Sequence, residues 1–453
     1  MNANGNLTLT GTEITRALTG VRFHKGTIIM HDNSIHDNEE YGINNTSAAH
    51  TIIDATNNWW GGSSGPYHSV NNPAGLGNEV SNYVLFQPWF DTDPFSVCTE
   101  NCYSNVLFLP GIKASQLYTK DSSGSENRLW VPNFFQDDAK KLALDNDGYS
   151  IQEVYTRDVV SEVGLGENIY KSFIDQLTVF KSQGAINDFS LFAYDWRQSV
   201  EDVAQNGTPY PDDVTKSAIA TVEQLASSSK SQRVTIVAHS NGGLLAKAIM
   251  LELEKTGQQD RVDKIVLVGS PQMGTPLSLL SMLYGYEESL LNGVLLSQED
   301  ARELVEDMPG AYGLLPSVEY FNRVQDSFIN FSSQNTRYKD FVDAYGEKIQ
   351  DFAELKRFLL GTDDGRDKPV KNDVESENIL NDTLLAQTEA MHSRLDAWVP
   401  PAGVEVIQIA GWGVDTISGV KYSEKKKMSC YLFPVCSPAD EYEPIYDPQF
   451  TVY

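Results

Sequence analysis

The chain has 453 residues, 41% hydrophobic and 21% charged, the balance of a globular protein with room for two to four domains and a substantial core. With 34 basic and 62 acidic residues its formal net charge is -28, which sets it against nucleic acid and anionic membrane surfaces as partners. No apolar run reaches the roughly 18 residues of a membrane span, so no transmembrane segment is expected, while a neutral or zwitterionic lipid surface stays open.

Residues 1–95 carry a faint repeat. At an offset of 24, Ile28 and Ile29 fall on Ile52 and Ile53, Asn33 on Asn57 and Ile35 on Trp59. At offsets of 21 and 22, Ile14 falls on Ile35, and Gly20-Val21 on Gly42-Ile43. Periods of this size mark stacked supersecondary units. β-Branched residues at alternate positions, with Asn, Asp and Gly at the corners, predict short strands and tight turns. The stretch resembles the coils of a right-handed parallel β-helix, and ATNNWWGGSSGP (Ala55 to Pro66) is similar to the segment that closes such β-helices in bacterial surface proteins. Such solenoids need about three repeats to bury a continuous core. About three coils are visible here, with no cap or export signal ahead of them, so upstream coils and a signal peptide are expected to be missing from this sequence. A small irregular β domain is the other reading. His24, His31, His36, His50 and His68 are irregularly spaced and predict solvated turns, not a metal site.

Residues 96–104 read as a linker holding Cys98 and Cys102. These cysteines and the second close pair, Cys430 and Cys436, lack zinc-ligand spacing and suit local disulfides of an exported protein. From about residue 105 strands alternate with longer amphipathic helices, the α/β signature.

The chemistry lies in RVTIVAHSNGGLLAKAIMLELE (Arg233 to Glu254): an apolar strand, a turn at His239-Ser240-Asn241-Gly242, then helical periodicity. This is the strand, serine turn and helix of a G-x-S-x-G elbow. Small residues are needed two before and two after the serine so that strand and helix can approach; here they are Ala238 and Gly242. The helix start supplies amides and a positive dipole end for a developing oxyanion. NVLFLPGIKASQLY (Asn105 to Tyr118), DFSLFAYDWR (Asp188 to Arg197) and KIVLVGSPQMGTP (Lys264 to Pro276) read as three more strands around this elbow.

The motifs LPG-x-x-x-S-x-L (Leu109 to Leu117), YDWR (Tyr194 to Arg197), AHSNGG (Ala238 to Gly243), GSPQMGTP and AYGLLPS (Ala311 to Ser317) together resemble the lecithin:cholesterol acyltransferase family, which includes lysosomal-type phospholipases A. The resemblance implies an α/β-hydrolase that takes an acyl group from a lipid ester and passes it to water or an alcohol, without a cofactor or metal. Ser240 would be the nucleophile, and the backbone N–H groups of Ile112 and Asn241 the oxyanion hole. Lys113-Ala114 stands where the family more often has a small residue and glycine.

A serine needs a base, and the base an orienting acid. His392, the one histidine well beyond Ser240, lies in a helical stretch ahead of the strand VEVIQIAG (Val404 to Gly411), whereas the fold places its base after the last strand. It is the in-chain candidate base, and Asp415 the in-chain candidate acid. His239, next to the nucleophile, is expected to point away from the serine oxygen. By the resemblance, DPQFTV near the end of the chain precedes the acid and base, so the true pair is expected beyond residue 453 and these residues alone are expected to be inactive. The domain reading is therefore 105–276 hydrolase core, 277–400 helical cap insertion and 401–453 a returning core segment. Apolar clusters at Leu279 to Tyr284 and Leu290 to Leu296 are candidate acyl-channel walls. An exported acyl hydrolase or acyltransferase on a β-helix stalk is the reading that follows, extracellular or at the cell surface. The alternative is a surface binding or adhesion protein in which the solenoid meets carbohydrate and the hydrolase-like domain is not catalytic.

Overall fold

The computed structural model describes residues 2–91, 93, 103–131, 139–163, 166–286, 297–324, 327–331, 338–411, 416–432 and 435–451, with backbone alone from 424 onward. The chain divides into two compact units, Met1–Thr99 and Glu100–Tyr453.

In the first unit every ladder between strands is parallel. Asn2–Ala3, Thr19–Phe23 and Tyr41–Asn45 form one sheet; Leu7–Thr10, Ile28–His31, Ile53–Asp54 and Val84–Leu85 form a second; Glu13–Ile14 pairs with Ser34–Ile35. Ile14 lies opposite Ile35 and Val21 opposite Ile43, the register expected from the shorter repeat. The offset of 24 is corrected by one residue, because Ile29 pairs with Asp54 and Ser34 with Trp59. A one-residue slip exchanges the inward and outward faces of a strand. Ile53 is 0% exposed and Ile52 58% exposed, so the isoleucine that fills the interior is the second of the pair. The same shift puts Asn58, not Asn57, on Asn33: Asn58 Oδ1 accepts from the Asn33 backbone and side-chain N–H groups, each at 2.9 Å. Val21, Phe23, Ile28, Met30, Ile35, Ile43 and Trp60 are buried between the ladders.

The second unit is built on a parallel sheet of β1 (Asn105–Leu109), β2 (Phe189–Leu191), β3 (Val234–His239), β4 (Val262–Val268) and β5 (Glu405–Ile409), in the order β2-β1-β3-β4-β5. The interior strand β1, between β2 and β3, is buried along its whole length, as a strand covered on both faces must be. The helix Gly242–Lys255 packs nearly all round, with Leu244, Leu245, Ala246 and Ile249 at 0% exposure.

Between β4 and β5 the chain forms several helices, among them Pro276–Tyr284, Gln298–Glu306, Phe352–Leu360 and Asp382–Asp396. Ahead of Phe352–Leu360 runs the short strand Lys348–Ile349, and Asp351, which accepts the Glu354 N–H at 2.8 Å, caps the start of the helix. Strand β5 returns the chain to the core sheet, and beyond it the chain leaves that sheet again. Thr416–Leu432 and Val435–Thr451 form a long antiparallel hairpin that adds to Ile329–Phe331, inside the insertion, and not to the five-stranded sheet. Backbone register sets Cys430 opposite Cys436, whereas Cys98, Cys102 and the cluster Leu290 to Leu296 lie outside the described residues.

Candidate active site

Strand β3 points Val234, Ile236 and Ala238 into the core and delivers His239 to its carboxyl end. At the next residue the chain reverses into the helix. Ser240 has a φ of 51°, in the left-handed region that side-chain-bearing residues seldom occupy and that costs about 1–3 kcal/mol. Two backbone bonds hold it there: its N–H donates to the Val268 carbonyl at 3.0 Å, and its carbonyl accepts from Gly243 N–H at 2.9 Å. Gly242 is required by contact, since a Cβ there would sit 2.4 Å from the Leu109 carbonyl oxygen. The helix therefore begins against the end of β1, with its amino terminus behind Ser240.

Facing the serine is the loop after β1. A Cβ on Gly111 would lie 3.0 Å from Ser240 Cβ and 3.5 Å from its Oγ, so the loop backbone touches the serine side chain. Among the described residues neither the Ile112 N–H nor the Asn241 N–H has an acceptor, and Ser240 Oγ makes no hydrogen bond. The loop is anchored on both sides. Tyr194 donates to the Pro110 carbonyl and accepts from Asn241 Nδ2, both at 3.1 Å. Tyr170 Oη accepts the Gly111 N–H at 3.1 Å and lies 2.7 Å from His239 Nδ1. Burial pushes the His239 imidazole below its ordinary pKa and the Tyr170 phenol above its own, so both are neutral at neutral pH.

The rest of YDWR is buried and fully paired. Arg197 and Asp195, 0% and 3% exposed, form a two-pronged ion pair with Nε–Oδ1 at 2.9 Å and Nη2–Oδ2 at 2.6 Å. Arg197 also donates to the Leu142 carbonyl at 2.9 Å and Ser150 Oγ at 2.7 Å, satisfying the buried guanidinium. Trp196 Nε1 donates to the Ser115 carbonyl at 3.1 Å, and Trp130 Nε1 to the Lys113 carbonyl at 2.6 Å.

Above Ser240 lies a cavity of about 180 Å³ lined by Ile112 and Lys113 from the loop, Pro271 after β4, and Leu277, Met282, Val305, Met308 and Leu314 from the insertion. The GSPQMGTP and AYGLLPS segments form its roof together. Thr275 N–H donates to the Leu314 carbonyl at 2.8 Å and Ser317 N–H to the Met273 carbonyl at 3.0 Å. Of the cluster Leu279 to Tyr284, Met282 reaches this cavity while Leu279, Leu280 and Leu283 are core. Lys113 is half-buried with φ 61°, and desolvation pushes its ammonium down to about 8.

The residue types and backbone arrangement at this cavity, a strained serine between a strand and a helix start with free amides nearby, are those of an α/β-hydrolase elbow. Residues 138–445 match the family described as lecithin:cholesterol acyltransferase. The chain belongs to the lecithin:cholesterol acyltransferase family. No curated protein matches it. Among solved structures, a chain of the Tle4–Tli4 complex is similar at 14% identity, with a TM-score of 0.37 over 68% of this chain and 74% of that one.

Within this family member, sequence reasoning brought Ser240, Ile112 and Asn241 to one place. The structure does not bring His392 there. On the helix Asp382–Asp396, His392 Nε2 lies 3.0 Å from the Gly313 carbonyl and Nδ1 lies 3.4 Å from Asp396 Oδ1, so both ring nitrogens are engaged away from Ser240. It lines a separate cavity of about 350 Å³ with Ser317 and Phe352. Asp415 lies outside the described residues. Tyr170 was missed, because nothing in its local sequence, ENIYKSF, marks a tyrosine that reaches residues 111 and 239.

Proposed function

We propose that this protein is a serine acyl hydrolase or acyltransferase of lipid esters, with Ser240 as the nucleophile. In this mechanism Ser240 gives its hydroxyl proton to a general base as Oγ attacks the ester carbonyl, and the oxyanion of the tetrahedral intermediate is received by the N–H groups of Ile112 and Asn241. The bond to the alcohol oxygen then breaks as the base returns the proton to it, and the acyl-enzyme left behind is resolved by water or a second alcohol. The single observation that carries the reading is the strained Ser240 backbone in contact with the Gly111 loop, with two amides beside it that have no acceptor among the described residues. The largely apolar cavity supports an acyl chain as the group held next to the serine. The insertion residues that line it support a cap role for part of 277–400.

For residues 1–95 we read the last coils of a parallel β-helix, supported by the parallel ladders and the asparagine column of Asn33 and Asn58. Contact with a cell surface or carbohydrate, and an extracellular location, go with that reading.

The test is fatty-acid release from phosphatidylcholine vesicles and from a soluble p-nitrophenyl ester by the whole protein and its Ser240→Ala variant. Release that vanishes in the variant sustains the proposal. Release that survives the substitution overturns it.

A further inference from the structure

The two tyrosines beside the loop hold opposite ends of one peptide unit. Tyr194 donates to the carbonyl of Pro110 and Tyr170 accepts the N–H of Gly111, and these two groups belong to the same planar amide. Each tyrosine is fixed in turn by a residue flanking the nucleophile. Asn241, after Ser240, donates its Nδ2 to Tyr194, and His239, before Ser240, meets Tyr170 through Nδ1. We propose that Tyr170 and Tyr194 are positioning residues, a two-sided clamp that fixes the Pro110–Gly111 peptide relative to Ser240 and so sets where the next amide, Ile112 N–H, meets the reacting carbonyl oxygen. This inference rests on the reading of Ser240 as nucleophile.

One proton arrangement satisfies the whole clamp. The Gly111 N–H can only donate, so Tyr170 Oη is the acceptor there, and with His239 as its neutral Nε2–H tautomer the Tyr170 proton goes to Nδ1. On the other side the Pro110 carbonyl can only accept, so Tyr194 spends its proton there and takes the Asn241 Nδ2 proton on a lone pair. Each phenol thus donates once and accepts once, with no proton left over. Tyr194 is 0% and Asn241 1% exposed, so water does not substitute for these partners. Stiffness here serves catalysis, because a peptide plane that tilts carries the following amide with it. A misplacement of about 1 Å at a reacting centre costs on the order of 100-fold in rate.

The experiment uses the whole protein and Tyr170→Phe, which keeps the ring and removes the hydroxyl. On a p-nitrophenyl ester, kcat should fall roughly 10- to 100-fold with KM nearly unchanged, the split expected when only transition-state contacts are weakened. The Gly111 amide should exchange with solvent at least about tenfold faster than in the wild type, while amides of β1 keep their protection. A rise in KM at constant kcat, or a Gly111 amide no faster than in the wild type, overturns the clamp. If Tyr170→Phe does not fold, the wild type decides: a Gly111 amide as slow as those of β1 supports the clamp, and one exchanging like an open loop overturns it. Ser240→Ala separates the two claims. Turnover that survives in Ser240→Ala removes the nucleophile assignment, and the exchange rate at Gly111 still decides the clamp on its own.

Discussion

Gly242→Ala is the substitution whose consequence the geometry fixes most closely. The added Cβ would stand 2.4 Å from the Leu109 carbonyl oxygen and 2.7 Å from that of Pro110, against about 3.4 Å for ordinary contact. The colliding atoms are backbone, so the end of β1 and the helix start must separate by about 1 Å. Strain of this kind costs about 1–3 kcal/mol of stability, and, on the proposed role of Ile112, moving the loop that carries it by that distance should lower kcat on the order of 100-fold. Gly243→Ala is the matched comparison. Its Cβ would strike Ser270, 2.2 Å from Oγ and 2.6 Å from Cβ, on the loop after β4 and not on the loop that carries Ile112. The two variants should lose similar stability in urea unfolding, but Gly243→Ala should keep kcat within roughly tenfold of the wild type. Steady-state kinetics on a soluble ester read the difference. A Gly242→Ala protein with kcat within about twofold of the wild type would show that the close approach of Gly242 to Leu109 does not place the loop for catalysis.

Three further outcomes are expected. Arg197→Met strands the buried Asp195 carboxylate, and urea unfolding of the second unit should show a loss of about 3–5 kcal/mol; an unchanged midpoint contradicts the role of the pair. Asn58→Ala removes the acceptor of two Asn33 N–H groups inside the first unit and should cost about 1–3 kcal/mol, seen as faster hydrogen exchange across Ile28–His31. The Lys113 ammonium is pushed down to about 8 from an ordinary 10.5, so the folded state binds fewer protons than the unfolded one between those values. Stability contributed by this group therefore rises with pH through that window, and its burial penalty is complete below pH 8. Lys113→Met should raise the melting temperature at pH 7, and the gain should shrink by about pH 10; a difference independent of pH contradicts the shift.

The parts of the fold legible in the sequence are those set by local pattern. Val234 to Lys255 announces itself because an apolar strand, a serine turn and a helical stripe follow each other directly. The ladders at sequence offsets of 21 and 22 were legible because Gly20-Val21 and Gly42-Ile43 allow one alignment. The other ladder slipped because Ile52 and Ile53 are the same residue type, and burial alone tells them apart. The hairpin after residue 415 joins a strand about ninety residues earlier, a pairing that no local period encodes. Tyr170 escaped notice for the same reason: its partners are 59 and 69 residues away. His392 stood out by elimination, being the one late histidine, yet its Nε2 meets the Gly313 carbonyl and its Nδ1 faces Asp396 on its own helix.

The most direct measurement is to treat the whole protein with a fluorophosphonate and map the phosphonylated peptide by mass spectrometry. A single adduct on the hydroxyl of residue 240, lost when the protein is heat-unfolded first, is what the account predicts. A folded protein that hydrolyses lipid esters while its adduct maps to any other side chain would contradict it.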